Sequence, residues 1–435
     1  MSTAIARHES DQSKNPARGT GDAGVRSWKN PIILSVVALF ALLVFALGAP
    51  GNDVTFRLSE DNDPIVLPSI VVSAPVIGWI AALAMLALAV LAILRTRSGQ
   101  KVPTWVLAVF AVLFLVAFLT WVVGSARTPN VALYGLLAGS VTLAVPLIFG
   151  SLSGVLCERS GVVNIAIEGQ LLFGAFAAAV AASLSGSAFV GLLAAAVAGV
   201  LVSLVLAVFS IRYVVNQVIV GVVLNVLVSG LTGFLFSAVL SEDSERWNSP
   251  PRLPVIEIPL LADIPVIGPI LFQQTIVGYL MYVAVAVVYV ALYHSRWGLR
   301  TRAVGEHPKA ADTLGVNVNR MRFMNVLLAG VVAGIGGSFF TLVAVSGFGR
   351  DMTAGQGYIA LAALIFGRWN PIGAFFAALL FGFATNLSNV LSLLGTPVPD
   401  QFLRMLPYVV TVFAVAGLVG RSRAPGASGI PYIKG

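Results

Sequence analysis

The sequence contains one cysteine and three histidines among 435 residues. A lone cysteine, Cys157, excludes an intrachain disulfide and any multi-cysteine zinc or iron–sulfur site. His8, His294 and His307 all lie outside the long apolar runs, so no histidine pair is available there for a metal or for general-base work. Charge is also scarce: Asp, Glu, Lys and Arg make up 10% of the chain, against about a quarter in a soluble globular protein. With 58% hydrophobic residues and a mean hydropathy of +0.94, this composition excludes a soluble enzyme and describes a polytopic membrane protein. Neither a G-x-S-x-G nucleophile motif nor a G-x-x-x-x-G-K-[ST] phosphate loop occurs. Glu168 is the one carboxylate close to an apolar run, so paired carboxylates are missing too. The chain therefore reads as a non-enzyme that does not itself hydrolyse ATP, and nothing in it calls for a cofactor or metal.

What the chain has is apolar length. Crossing the hydrocarbon core takes about 20 apolar residues, and runs of that kind fall near 31–49, 69–94, 103–124, 131–150, 166–184, 189–211, 216–240, 274–293, 322–346, 371–395 and 402–420. The run 357–367 is too short, spanning roughly 16 Å as a helix. Because Gly347, Gly349, Gly355 and Gly357 precede or open it, it is expected to be an extended stretch continuing as a half-helix. The fold class is thus all-α, a membrane helix bundle of about twelve crossings. Placing the N-terminus inside puts most Lys and Arg on the cytoplasmic side, among them Lys29, Arg95, Lys101, Arg300, Arg302 and Arg320, while acidic residues gather in 51–66 and 241–270. The net charge of +8 then reports topology and attraction to membrane lipid, with no call for nucleic acid. Residues 1–30 are polar and aperiodic and are expected to be a disordered cytoplasmic tail; 31–102 form an N-terminal extension with two crossings, 103–421 the core, and 422–435 a cytoplasmic C-terminal tail.

Two stretches carry chemistry. The longest inside loop runs from His294 to Arg322. Within it Pro308 suits the first position of a short helix and Gly315 the residue just past its end, and Ala310, Ala311 and Leu314 are expected to share a small apolar face able to seat in a partner's groove. An ordinary solvated connector is the competing interpretation. The second stretch, 154–170, mixes glycines and polar residues between apolar runs and marks an interrupted helix, tolerated at a membrane only where protein or a water-filled cavity covers it. Asn164 could cap the following helix with Glu168 in its first turn; alternatively Asn164, Glu168 and Gln170 line a polar pathway. Asn216, Gln217, Asn225, Asn325, Asn386 and Asn389 add uncharged groups within spans; each alone reads as a hydrogen bond to a neighbouring helix, and together they suit a neutral polar solute better than an ion.

These stretches resemble the permease subunits of bacterial ABC transporters of the branched-chain amino acid and ribose type, most of all the nucleoside branch that works with a basic-membrane-protein lipoprotein. The resemblance is carried by ERSGVVNIAIEGQLLFGAFAA (158–178), NQVIVGVVLNVLVSGLTGFL (216–235), GLRTRAVGEHPKAADTLGVNV (298–318), GYIALAALIFGRWNPIGAFFAALLFG (357–382) and MLPYVVTVFAVAGLVGRSRAP (405–425). It implies a ten-helix core with an inverted repeat relating 131–240 to 322–420, and a bacterial plasma-membrane location. It also implies a coupling helix matching Gly305, Glu306, Ala310, Ala311, Leu314 and Gly315 that docks on an ABC ATPase subunit. The solute path, to which Asn164, Glu168, Gln170, Asn216, Gln217, Asn225, Tyr358 and Asn386 are assigned, would form with a second, different permease subunit. An extracellular substrate-binding lipoprotein would deliver a nucleoside or related sugar-containing solute. Monosaccharides or branched-chain amino acids as solute, and an ATP-independent secondary transporter, are the alternatives.

Overall fold

The computed structural model describes residues 28–59, 65–396, 398–405, 408 and 423–434. The expected disordered tail lies almost wholly outside the described residues, as does most of the crossing expected at 402–420. Among the described residues, ten helices are long and apolar enough to cross a membrane, and Gln356–Phe366 is a shorter apolar helix. The half-helix and every crossing expected before 402 are present. The protein is an all-α, multi-pass membrane helix bundle.

Two compact units divide the chain. One comprises Met1–Pro50 and Ala74–Trp121. It contains α1 (Lys29–Ala41, extended by a π-helical turn to Ala46), α2 (Ala74–Arg97) and most of α3 (Thr104–Gly124). Leu34, Ala38 and Phe45 pack with Met85 and Ala89 and with Val106 and Phe110, and the Phe45 ring meets Phe114 edge-on at 5.4 Å. Helices α1 and α2 approach closely at Gly78, where a Cβ would lie 2.1 Å from the Phe45 carbonyl oxygen. The third crossing, expected to open the core at 103, thus shares a unit with the two helices of the extension.

The second unit comprises Gly51–Ser73 and Val122–Gly435. Its β1 (Asp53–Arg57) pairs antiparallel with β2 (Ile70–Ser73) and parallel with β3 (Asn130–Ala132). Helices α4 (Leu133–Glu158), α5 (Ile167–Ser185), α6 (Ala188–Ala207) and α7 (Gln217–Leu235) follow, then a short α8 (Ser244–Trp247). A hairpin of β4 (Val255–Glu257) and β5 (Gln273–Thr275) leads into α9 (Ile276–His294), α10 (Arg296–Glu306) and α11 (Pro308–Thr313). The remainder is α12 (Val318–Phe339), α13 (Gln356–Phe366), α14 (Pro371–Leu393) and the start of α15 (Asp400–Arg404). Helix starts are set by their side chains: Asn216, Asn317 and Asn370 each accept backbone N–H bonds from the first turn that follows, and Pro371 occupies N1 of α14.

Helix α4 is buried over most of its length and packs against α12, α13 and α14. Lipid supplies no hydrophobic drive between helices, so close packing of small residues does this work. It is close between α6 and α12: a Cβ on Gly199 would lie 2.1 Å from the Gly330 oxygen, and one on Gly334 would lie 2.1 Å from the Ala195 oxygen. Apolar side chains such as Val226 and Phe234 remain exposed on α7, as expected of a helix whose solvent is hydrocarbon.

Candidate functional site

Helix α4 stops at Glu158 and α5 begins at Ile167; the turn between them is built around Gly161, whose φ of +91° is strained for any L side chain. The turn carries Asn164 inward. Asn164 and Gln170 are fully buried, and unpaired amides there would each cost several kcal/mol. They are paired: Asn164 Nδ2 donates to Ser153 Oγ (3.1 Å) and Gln170 Oε1 (3.0 Å), and Gln170 Nε2 donates to Ser203 Oγ (2.8 Å). The cap expected from Asn164 is not made, because its amide is committed to this network; Ala166 stands at the N-cap of α5 without a side-chain bond. These two amides cross-link α4, α5 and α6.

Glu168 does cap a helix, but a different one. Its Oε1 accepts from Thr353 Oγ1 (2.6 Å) and Gly355 N (2.9 Å), and its Oε2 accepts from Gly357 N (2.6 Å), at the start of the half-helix α13. The first N–H groups of a helix have no internal partners and carry partial positive charge, so a carboxylate there is well placed. Gly357 permits the approach, since a Cβ on it would sit 2.5 Å from the Glu168 backbone. Asn225 adds a second tie, accepting from Gly169 N (2.8 Å) while its Nδ2 donates to Ile165 O (2.9 Å) and Tyr358 Oη (3.1 Å). Gln217 accepts from Val163 N (2.7 Å), Asn216 caps α7, and Asn386 Nδ2 donates to Leu136 O (2.7 Å).

The far end of α13 is held as firmly. Arg368 and Trp369, both with φ of +54°, turn the chain into α14. Non-glycine residues persist in this conformation only where surroundings fix them. Trp369 Nε1 donates to the Glu158 carboxylate, and Arg159 Nε donates to Trp369 O (2.8 Å). Residues on either side of the 159–166 turn therefore grip the half-helix at both ends.

Beside this frame lies a cleft of about 200 Å³. Gln356 of α13, Thr385, Ser388 and Asn389 of α14, and Tyr408 supply its polar wall; Leu143, Leu147 and Ile359 supply an apolar one. Gln356 Oε1 is buried without a hydrogen-bond partner among the described residues. None of the eight residues assigned from sequence to a solute path lines this cleft; of them, Glu168 holds the start of α13 and Asn386 ties α14 to α4, helices that supply its walls. The spacing of Thr385, Ser388 and Asn389, three and four residues apart, places them on one helix face and was the available sequence pattern.

At the end of the bundle that carries the 159–166 turn, α10 and α11 run beside it. Pro308 opens α11, and Gly315, at φ +81°, follows its end. The three apolar residues expected on one face are divided: Ala311 is buried against Val304 and Val318, whereas Ala310 is exposed and Leu314 is 84% exposed. Adjacent helical residues diverge by about 100°, so Ala310 and Leu314 share the outer face and Ala311 turns inward. Gly305 is required by close approach, a Cβ on it falling 2.2 Å from the Arg159 carbonyl oxygen, and Glu306 Oε2 accepts from Gly426 N (3.0 Å).

A lipid-embedded bundle with a half-helix capped by a partner helix and an uncharged cleft beside it is the architecture of a membrane transport protein. Residues 136–415 match the family described as the branched-chain amino acid transport system permease component, and the chain belongs to that family. It is 41% identical over 307 residues to the guanosine ABC transporter permease protein NupQ of Bacillus subtilis, covering 68% of this chain and 95% of that one. Identity to the nucleoside ABC transporter permease protein NupC of Lactococcus lactis is 39% over 308 residues, covering 69% and 96%. A putative glucose ABC transporter permease protein of Haloferax volcanii, TsgC13, is 32% identical over 312 residues, covering 67% and 93%. A second guanosine permease of Bacillus subtilis, NupP, is 24% identical over 299 residues, covering 65% and 83%. No solved structure gives a significant match.

Proposed function

We propose that the chain is the permease subunit of an importer for nucleosides or related sugar-containing solutes, driven by a separate ABC ATPase. The observation that carries this is the 41% identity to a guanosine permease over 95% of that protein's length. The cleft fits the reading: its polar groups are amides and hydroxyls without a charged side chain, which suits a neutral solute with many donors and acceptors. The ATPase docks on the outer face of α11 around Ala310 and Leu314, with Ala311 buried beneath it, Gly305 and Glu306 ending α10 before it and Gly315 turning the chain after it. A second, different permease completes the path, in keeping with the two guanosine permeases of Bacillus subtilis. A lipoprotein delivers the solute from outside. Both chain ends face the cytoplasm of a bacterial plasma membrane.

Identity to a glucose permease keeps a sugar reading in view. In cells carrying the whole system, uptake of labelled guanosine is expected to be blocked by excess unlabelled nucleosides and to persist in excess ribose, glucose or leucine. Competition by glucose or ribose alone would move the assignment to sugars. Uptake by the reconstituted chain without any ATPase would replace the ATP-driven mechanism with a secondary one.

A further inference from the structure

Residues 423–434 do not trail away from the bundle. They form a strap that touches four separate elements. Gly426 N donates to Glu306 Oε2 (3.0 Å) and Ala427 N to Gly305 O (2.8 Å), at the end of α10. Gly429 N donates to Gly161 O (3.3 Å), in the turn between α4 and α5. Ile430 O accepts from Nη1 of Arg322 (2.8 Å), near the start of α12. Tyr432 packs on the cluster of Val304, Ala311 and Val318, and Lys434 Nζ approaches Asp312 of α11 at 4.0 Å.

Arg322 shows how firmly the strap is seated. It is 2% exposed, and its guanidinium donates to two backbone carbonyls, Ser160 O from Nε (3.1 Å) and Ile430 O from Nη1. One of those carbonyls belongs to the turn and the other to the strap. Removing the strap would strip a buried cation of half its partners, which is the expensive way to lose a hydrogen bond. The strap, the turn and α12 are thereby joined at one side chain.

The turn and the residues beside it hold the half-helix, through Glu158 and Arg159 at one end and Glu168 at the other. We propose that the strap 423–434 makes α11, the 159–166 turn and the half-helix α13 move as one body, so that displacement of α11 by the ATPase is delivered to the wall of the cleft. Tyr432 and Arg322 act as positioning residues; neither contacts solute or nucleotide. The proposal rests on the reading of α11 as the ATPase docking element.

The test uses the full complex, assembled with its ATPase and second permease, and compares Tyr432→Ala, deletion of 424–435, and Ala310→Arg. Three quantities are measured: ATPase co-purification, ATP hydrolysis, and labelled guanosine uptake per ATP hydrolysed. Tyr432→Ala and the deletion are expected to retain the ATPase and its hydrolysis while guanosine moved per ATP falls at least five-fold. Unchanged guanosine per ATP in Tyr432→Ala would overturn the proposal, as would wild-type uptake in the deletion. If the deletion fails to accumulate, Tyr432→Ala decides alone. Ala310→Arg separates the two levels: it is expected to lose the ATPase itself. Normal ATPase binding and uptake in that variant would remove the docking reading and the strap proposal with it. Loss of the ATPase in Ala310→Arg with normal coupling in Tyr432→Ala would overturn the strap alone.

Discussion

Glu168 illustrates how a side chain's type is legible from sequence while its partner is not. A carboxylate one residue into a helix reads as that helix's own dipole partner, yet here it spans to the facing half-helix and accepts three hydrogen bonds from Thr353, Gly355 and Gly357. Hydrogen bonds to a charged acceptor contribute about 1.5–3 kcal/mol each, and the donors left behind would be poorly hydrated. Glu168→Ala is therefore expected to lower the melting temperature of the detergent-solubilised permease markedly. Glu168→Gln, which keeps one good acceptor but turns an amide toward a donor, should fall between Ala and wild type. If Glu168→Ala melts with wild type yet transports nothing, the carboxylate acts on solute rather than on α13.

Helix existence and extent were written plainly in the chain, since about 20 apolar residues bounded by Asn, Pro or Gly leave few alternatives. Pairing between helices was not, because it depends on which glycine meets which backbone. Gly199 and Gly334 lie on helices separated by more than a hundred residues, and nothing local distinguishes them from Gly233, beside which an added Cβ would meet nothing within 4 Å. The same blindness affected the candidate site: frame amides such as Asn164 and Gln170 and cleft-lining ones such as Asn389 are alike in chemistry, and only the folded arrangement separates them. The strap was legible only as a cytoplasmic C-terminal tail. At this scale Gly334→Ala is expected to force α6 and α12 apart, sharply reducing monodisperse protein on size-exclusion chromatography. Gly233→Ala should leave the yield intact, since it trades the least helix-favouring residue after proline for the best in open space. Equal yields from the two variants would show that the α6–α12 contact does not hold the bundle together.

For the whole molecule, the scarce charge becomes a statement about sidedness. Helix α9 is a single crossing of 19 residues, about 28 Å long, so the segment before it and the segment after it lie on opposite membrane faces whichever way the chain is inserted. Before α9, the loop carries two basic residues, Arg246 and Arg252, among Glu242, Asp243, Glu245, Glu257 and Asp263; after it come six, Arg296, Arg300, Arg302, Lys309, Arg320 and Arg322. Basic residues are retained on the cytoplasmic side, whereas acidic residues impose little of their own. The α10–α11 face is thus expected inside, where an ATPase could reach it. Single cysteines test this directly, because the native Cys157 is buried and can be replaced by Ala. Glu245→Cys should react with a membrane-impermeant maleimide in intact cells, whereas Leu314→Cys, at a position 84% exposed, should react only after permeabilisation. The reverse pattern would place α11 outside the cell, beyond the reach of any cytoplasmic ATPase, and both the docking face and the strap that serves it would lose their physical basis.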